Sequence, residues 1–307
     1  NSSTNLTLGT GQTVRGAGQL GVNQLELTQL GTIEANASSA LVVDLTSALT
    51  NQGTISALGS GGIQVQDPLI NQGDLNIANG SQLTVVAQPF TQLSGLTEIQ
   101  GGSLTASSLQ INGGDLKGRG TITGSTTFTS ANLTPHAGLL AFSSSLTFDS
   151  TTTLRIEISG TNAASDYGNL SATDIFLDGH LFVRFGGGFE NSILISDTFA
   201  IMAASTPLTG VFQNITPGAR LPTADGLGSF AVNYDTLGVT LSDFQPVPEP
   251  STATLLLTGL GFLLWPRRRR QANQRSGLPG KYNTKSSSTL DFTEGKKGNK
   301  EIQKIIL

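Results

Sequence analysis

Three phrases of this chain are variants of one another: LGTIEA at residues 30–35, NQGTISA at 51–57 and NQGDLNI at 71–77. Their glycines, Gly31, Gly53 and Gly73, stand 22 and 20 residues apart, and weaker echoes follow in GGSLTA (101–106), GGDLKG (113–118) and GRGTITG (118–124). A period near 20 means that one short unit is laid down repeatedly. A unit that short cannot enclose a core alone, so each must be covered by the next. Within the phrases apolar residues alternate with polar ones, as in Leu25/Leu27, Ile63/Val65, Leu75/Ile77, Leu83/Val85 and Leu109/Ile111. Period two places them on one face of a strand. Short strands punctuated by Gly and Asn at this spacing predict a right-handed parallel β-helix over roughly 14–128. Coils would stack at about 4.8 Å around a column of aliphatic side chains. An antiparallel sandwich of similar hairpins is the competing arrangement. In the β-helix, Asn51 and Asn71 share a corner and can stack as an amide ladder.

From about residue 131 the texture changes. Longer alternating runs appear, among them LRIEIS (154–159), DIFLDGHLFVRF (174–185) and GSFAVNYDTLGVTLS (228–242). Most of the fourteen phenylalanines fall here. Asp178-Gly179 between two alternating runs carries the signature of a hairpin turn. The expectation is an all-β chain in four parts. Residues 1–130 form the β-helical repeat, and 131–246 form a β-rich capping or sandwich domain over its open end. Residues 247–270 form a segment with one short hydrophobic helix, and 271–307 a basic, disordered tail.

Composition narrows the function classes. There is no cysteine, which excludes disulfides, thiolate metal sites and a Cys nucleophile. Residues 1–246 hold six Lys/Arg against seventeen Asp/Glu, whereas from Arg267 onward there are eleven against three. An acidic front and a basic back suggest two different surroundings, and an acidic folded part argues against nucleic acid as a partner. The chain starts at Asn1 and its one methionine is Met202, so sequence upstream of Asn1 is expected.

Residues 247–270 read VPEPSTATLLLTGLGFLLWPRRRR. Pro248 and Pro250 hold the backbone around Glu249 extended. Residues 251–265 are uncharged and mostly apolar, and as a helix they reach about 22 Å, short for a membrane span. Arg267, Arg268, Arg269 and Arg270 then mark the cytoplasmic side and stop translocation, leaving the acidic β region outside. This tripartite order resembles the PEP-CTERM sorting signal of exported Gram-negative bacterial proteins. The resemblance covers about 24 residues, and the upstream repeats are similar, more diffusely, to the adhesin-like β-strand-repeat passengers that accompany the signal. It implies processing by the membrane enzyme exosortase, with Pro248, Glu249 and Pro250 as the recognised residues. It also implies anchoring in the inner membrane before processing, then the cell surface or medium, and association with exopolysaccharide or biofilm. The family's signal ends within a few residues of its arginines, whereas here residues 271–307 follow.

Motifs that carry catalysis are sparse. The two histidines, His136 and His180, lie 44 residues apart, and no nucleophile elbow, phosphate loop or dinucleotide fingerprint is present. No cofactor or metal is expected. Asp74, Asp115, Lys117 and Arg119 come nearest to the carboxylate-plus-base set of a β-helical polysaccharide lyase or glycosidase, the alternative to a structural, adhesin-like surface protein. Solvated turn positions account for the same four residues.

Overall fold

The computed structural model describes residues 4–247, and they are almost entirely β. Strands of successive coils pair in parallel to make three sheets that run along the stacking direction, as the 20-residue period requires. The first sheet begins with Thr4–Leu8, Leu25–Gln29, Leu49–Asn51, Leu69–Asn71 and Phe90–Gln92. The second begins with Thr13–Arg15, Thr32–Ala35, Thr54–Ala57 and Asp74–Ile77. The third begins with Gly18–Leu20, Leu41–Val43, Ile63–Val65 and Gln82–Val85. The pairing registers keep like over like, for example Leu69 beside Leu49 and Phe90, Ile55 beside Ile33 and Leu75, and Val65 beside Val43 and Val85.

Period two in the sequence becomes inside and outside. Ile33, Ile55, Leu75, Ile99, Leu116 and Leu133 are fully buried along the second sheet, and Leu49, Leu69, Phe90 and Leu109 along the first. Each such side chain contributes about 1.5–3 kcal/mol of burial. No coil could realise that alone, because its inward side chains are covered by those of the coils on either side.

The corner between the first and second sheets explains the glycines of the repeat. The carbonyls of Gly31, Gly53, Gly73 and Gly95 accept the N–H groups of Thr54, Asp74, Leu96 and Asp115 at 2.8–3.0 Å. Each glycine therefore sits directly against the one before it. A Cβ built on Gly53 would lie 2.1 Å from the Gly31 oxygen, and one on Gly73 would lie 2.2 Å from the Gly53 oxygen.

The same corner is filled from inside by amides. Asn51 Nδ2 donates to Asn71 Oδ1 at 2.7 Å, and Asn71 Nδ2 donates to Gln92 Oε1 at 3.3 Å. The expected ladder is therefore present, and it is longer than two rungs. Gln29 opens it, accepting from the backbone N–H groups of Gln52 and Gly53 at 3.1 Å, and Thr97 Oγ1 closes it by donating to Gln92 Oε1 at 2.6 Å. Gln29, Asn51, Asn71, Gln92 and Thr97 are all buried, and no buried side-chain polar atom among the described residues lacks a partner. A satisfied ladder of this kind fixes the register, since a slip would strand amides in an apolar core.

Parallel stacking does not stop near residue 130. Asp115–Phe128 pairs with Asn132–Phe142, and the stacking continues through Thr153–Ile158, Gly168–Ala172 and His180–Phe185 to Thr209–Gly210. The boundary expected at 130 thus falls within continuous pairing. The expected hairpin at Asp178-Gly179 is not formed. Ile175–Leu177 pairs in parallel with Leu146–Phe148 of the first sheet, and His180–Phe185 pairs with Thr153–Ile158 of the second. Gly179 instead turns a solenoid corner, with φ 72 and no room for a Cβ, which would lie 2.3 Å from the Thr152 oxygen.

Of the capping or sandwich domain expected over 131–246, the antiparallel part is three strands, Arg220–Pro222, Gly228–Asp235 and Gly238–Pro246. The last of these pairs with Phe199–Ala204 at the end of the third sheet. Phe185, Phe199, Phe230 and Phe244 fill the junction with ring centroids 5.1–5.8 Å apart. Arg220 spans the cap, donating to Ser229 Oγ at 3.0 Å and to Asp243 Oδ2 at 2.6 Å. Asp225 ties it to the coil below by accepting from Phe185 N at 2.8 Å. Partial burial raises the Asp225 pKa, but the Thr223 hydroxyl and the N–H groups of Phe185 and Leu227 outweigh it and leave the carboxyl below its ordinary value.

Candidate functional site

Charged side chains gather on the outward positions of the second sheet. Along Leu96–Ile111, Asp115–Phe128, Asn132–Phe142, Thr153–Ile158 and His180–Phe185, inward residues are buried and the alternate ones face solvent. Pairing puts Lys117 between Glu98 and Thr134, and Arg119 beside Gln100. On the next strands it puts Arg155 beside Phe182 and Glu157 beside Arg184. Between Pro135 and Leu140 the chain leaves the register of the preceding coil, so residues 136–139 bulge outward and carry His136 to the edge of this face.

The result is a shallow groove. One section, of 420 Å³, is lined by Lys117, Thr134, His136, Glu157, Asp166 and Arg184. It continues on one side past Glu98, Gln100 and Arg119, and on the other past Arg155, Phe182 and Ala224. Lys117 Nζ lies 4.0 Å from Glu98 Oε2, and Arg184 forms an ion pair with Glu157. The Arg155 guanidinium sits 5.5 Å above the centre of the Phe182 ring. Asp166 accepts from the Ser165 hydroxyl at 2.7 Å and from Asn162 N at 3.0 Å, and these bonds hold its pKa below the ordinary carboxylate value. The groove thus offers cations, carboxylates and one partly exposed aromatic ring.

The sequence candidates divide accordingly. Lys117 and Arg119 are on the groove floor with His136 at its rim. Asp115 is on the same strand but at the corner, where it accepts from Asn132 Nδ2 at 2.8 Å. Asp74 is two coils from Asp115, because Leu96 lies between them in register, so the two carboxylates stand about 10 Å apart. His180 opens its strand beside Thr153 and sits apart from His136, its backbone N–H bonded to the Thr152 carbonyl. Reading by motif missed Arg155, Glu157, Phe182 and Arg184. The signal for them was present as the polar half of the alternation in LRIEI and HLFVRF.

No group of three or more potential metal ligands occurs among the described residues, and none of their helices is long and apolar enough to cross a membrane. Pro248, Glu249, Pro250, the span at 251–265 and the four arginines at 267–270 lie outside the described residues. No protein-family model and no curated protein matches the chain.

Proposed function

We propose that this chain is an exported β-solenoid of structural, adhesin-like character, delivered through the PEP-CTERM-like segment at its C-terminal side and held at the cell surface or in the extracellular matrix. The observation that carries the reading is a junction. The solenoid and its cap end with the strand Gly238–Pro246, and the Pro-Glu-Pro, apolar and arginine sequence follows from Pro248. A β-solenoid is compatible with a surface role, since stacked coils give a stiff body with a repeating polar exterior. Many weak contacts along such a body add up through multivalency.

In this reading the solenoid crosses the inner membrane, the four arginines stop translocation, and residues 251–265 hold the protein until exosortase acts at the extended Pro248-Glu249-Pro250 site. Each arginine forced to the bilayer centre would cost about 2.5–3.5 kcal/mol on insertion scales, so four in a row are an effective stop. Replacing Pro248, Glu249 and Pro250 together by alanine is expected to move the protein from the medium or outer surface to the inner-membrane fraction at full length. The check is fractionation and immunoblotting in an exosortase-containing host. Equal release of the variant and the unaltered chain would count against the reading.

A further inference from the structure

Six Lys and Arg residues are available to the acidic region 1–246, and five of them stand on the solvent side of the second sheet: Arg15, paired with Glu34 near its start, and, clustered over neighbouring coils, the four residues Lys117, Arg119, Arg155 and Arg184. Folding does not call for this. Exposed like charges on one face repel weakly, and a scatter over three sheets would avoid even that. Carboxylates answer only two of the four. Lys117 has Glu98 and Arg184 has Glu157, whereas Arg119 and Arg155 form no ion pair among the described residues. Beside Arg155, one coil further on, is an exposed aromatic ring. Phe182 is 39% exposed, at an outward position of a strand whose inward side chains Leu181 and Val183 are fully buried. The Arg155 guanidinium over the ring is worth about 0.5–1 kcal/mol, and the part of the ring it leaves uncovered is open to a ligand. The strands from Glu98 to Phe182 are successive coils, so the face extends over about 19 Å.

We infer that this face binds an acidic polysaccharide laid across the strands, along the stacking direction. Cations set one or two coils apart, about 5–10 Å, suit a polymer whose carboxylates are separated by whole sugar rings. Duplex nucleic acid carries a charge about every 1.7 Å of axis, and the acidic surroundings would repel so dense an anion. Glu98, Glu157 and Asp166, interleaved with the cations, accept hydrogen bonds from sugar hydroxyls. The exposed part of the Phe182 ring gives a sugar an apolar contact, and Arg155 beside it can meet a carboxylate. The groove is shallow and open, as a chain bound through many modest contacts requires. The inference deepens the proposed function by assigning a face and a charge class to its glycan contact, and it rests on that reading for the ligand being a glycan.

The test compares the full chain, purified in non-ionic detergent, with Arg119→Ser/Arg155→Ser and with Phe182→Ala. Binding is measured by titration calorimetry with polygalacturonate, neutral dextran, inorganic polyphosphate and single-stranded DNA. Arg119 and Arg155 leave no orphaned carboxylate when removed, and circular dichroism checks that each variant is folded. The basic tail is common to all three proteins and contributes equally. The expected result is at least tenfold weaker polygalacturonate binding by the double variant and no binding of dextran. Phe182→Ala is expected to weaken polygalacturonate several-fold while leaving polyphosphate unchanged. An unchanged polygalacturonate affinity in the double variant would overturn the inference. So would tighter DNA than polygalacturonate binding that the double variant abolishes. Neither outcome touches the sorting reading, which is decided by where the protein is found and how it is cut.

Discussion

Gly73→Ala is expected to destabilise the solenoid by about 3 kcal/mol, at the upper end of what overpacking usually costs. The new Cβ would lie 2.2 Å from the Gly53 carbonyl oxygen, and that oxygen already accepts the Asp74 N–H at 2.8 Å. Backbone, unlike the end of a long side chain, cannot swing aside, so the coils must separate or the hydrogen bond must break. Gly80→Ala is the informative control. Gly80 has φ 72 and nothing within 4 Å of a built Cβ, so its cost is the left-handed conformation alone, about 1–2 kcal/mol. Urea unfolding of the two variants should therefore rank Gly73→Ala as the worse, although the Gly80 backbone is the one that L-residues avoid. The reverse order would mean that the glycine column is not closely stacked.

Asn71→Leu is expected to cost about 3 kcal/mol for a different reason. Asn71 is the central rung of the amide ladder, accepting from Asn51 Nδ2 and donating to Gln92 Oε1 and, at 3.1 Å, to the Leu96 carbonyl. Removing it leaves buried polar groups short of partners on both sides, at about 1–3 kcal/mol each, and the neighbouring amides retain only part of their bonding. Gln72, one residue on, makes the equivalent ladder contact at the surface, accepting from Gln52 Nε2 at 3.1 Å. Water replaces that bond, so Gln72→Leu should stay within about 0.5 kcal/mol of the unaltered chain. Equal effects at positions 71 and 72 in urea denaturation would argue against a buried ladder.

Both positions show what the sequence makes legible. Period two selected the inward residues, and the spacing of Gly31, Gly53 and Gly73 gave the coil. Asn51 and Asn71 were readable as a ladder because both open the same triplet, NQG. Gln29 and Gln92 belong to the same ladder but sit in the less similar settings QLG and QLSG, where only the pattern of an amide two or three residues before glycine marks them. The repeat is lost to the eye after residue 130 because the coils lengthen: 136–139 bulge, residues 159–167 form an added loop, and a further excursion precedes Phe199–Ala204. The pairing survives where the period does not. Asp178-Gly179 misled for a local reason. A hairpin turn and a solenoid corner both demand a residue with positive φ, and only the non-local partners Leu146–Phe148 and Thr153–Ile158 tell them apart.

The groove was half legible on the same terms. Lys117 and Arg119 drew notice as a charged pair beside Asp115, but a motif search favours residues close in sequence. Arg155 and Glu157 stand 27 residues from Phe182 and Arg184 and meet them only through register. Asp74 failed to join them because register is equally strict in separating residues.

The most direct test of the sorting reading is the intact mass of the protein released by an exosortase-containing host. The expected product ends near Glu249 and lacks both the apolar span and residues 271–307. Released protein that still carries peptides from residues 271–307 would contradict both the orientation assigned to the four arginines and the processing at Pro248-Glu249-Pro250.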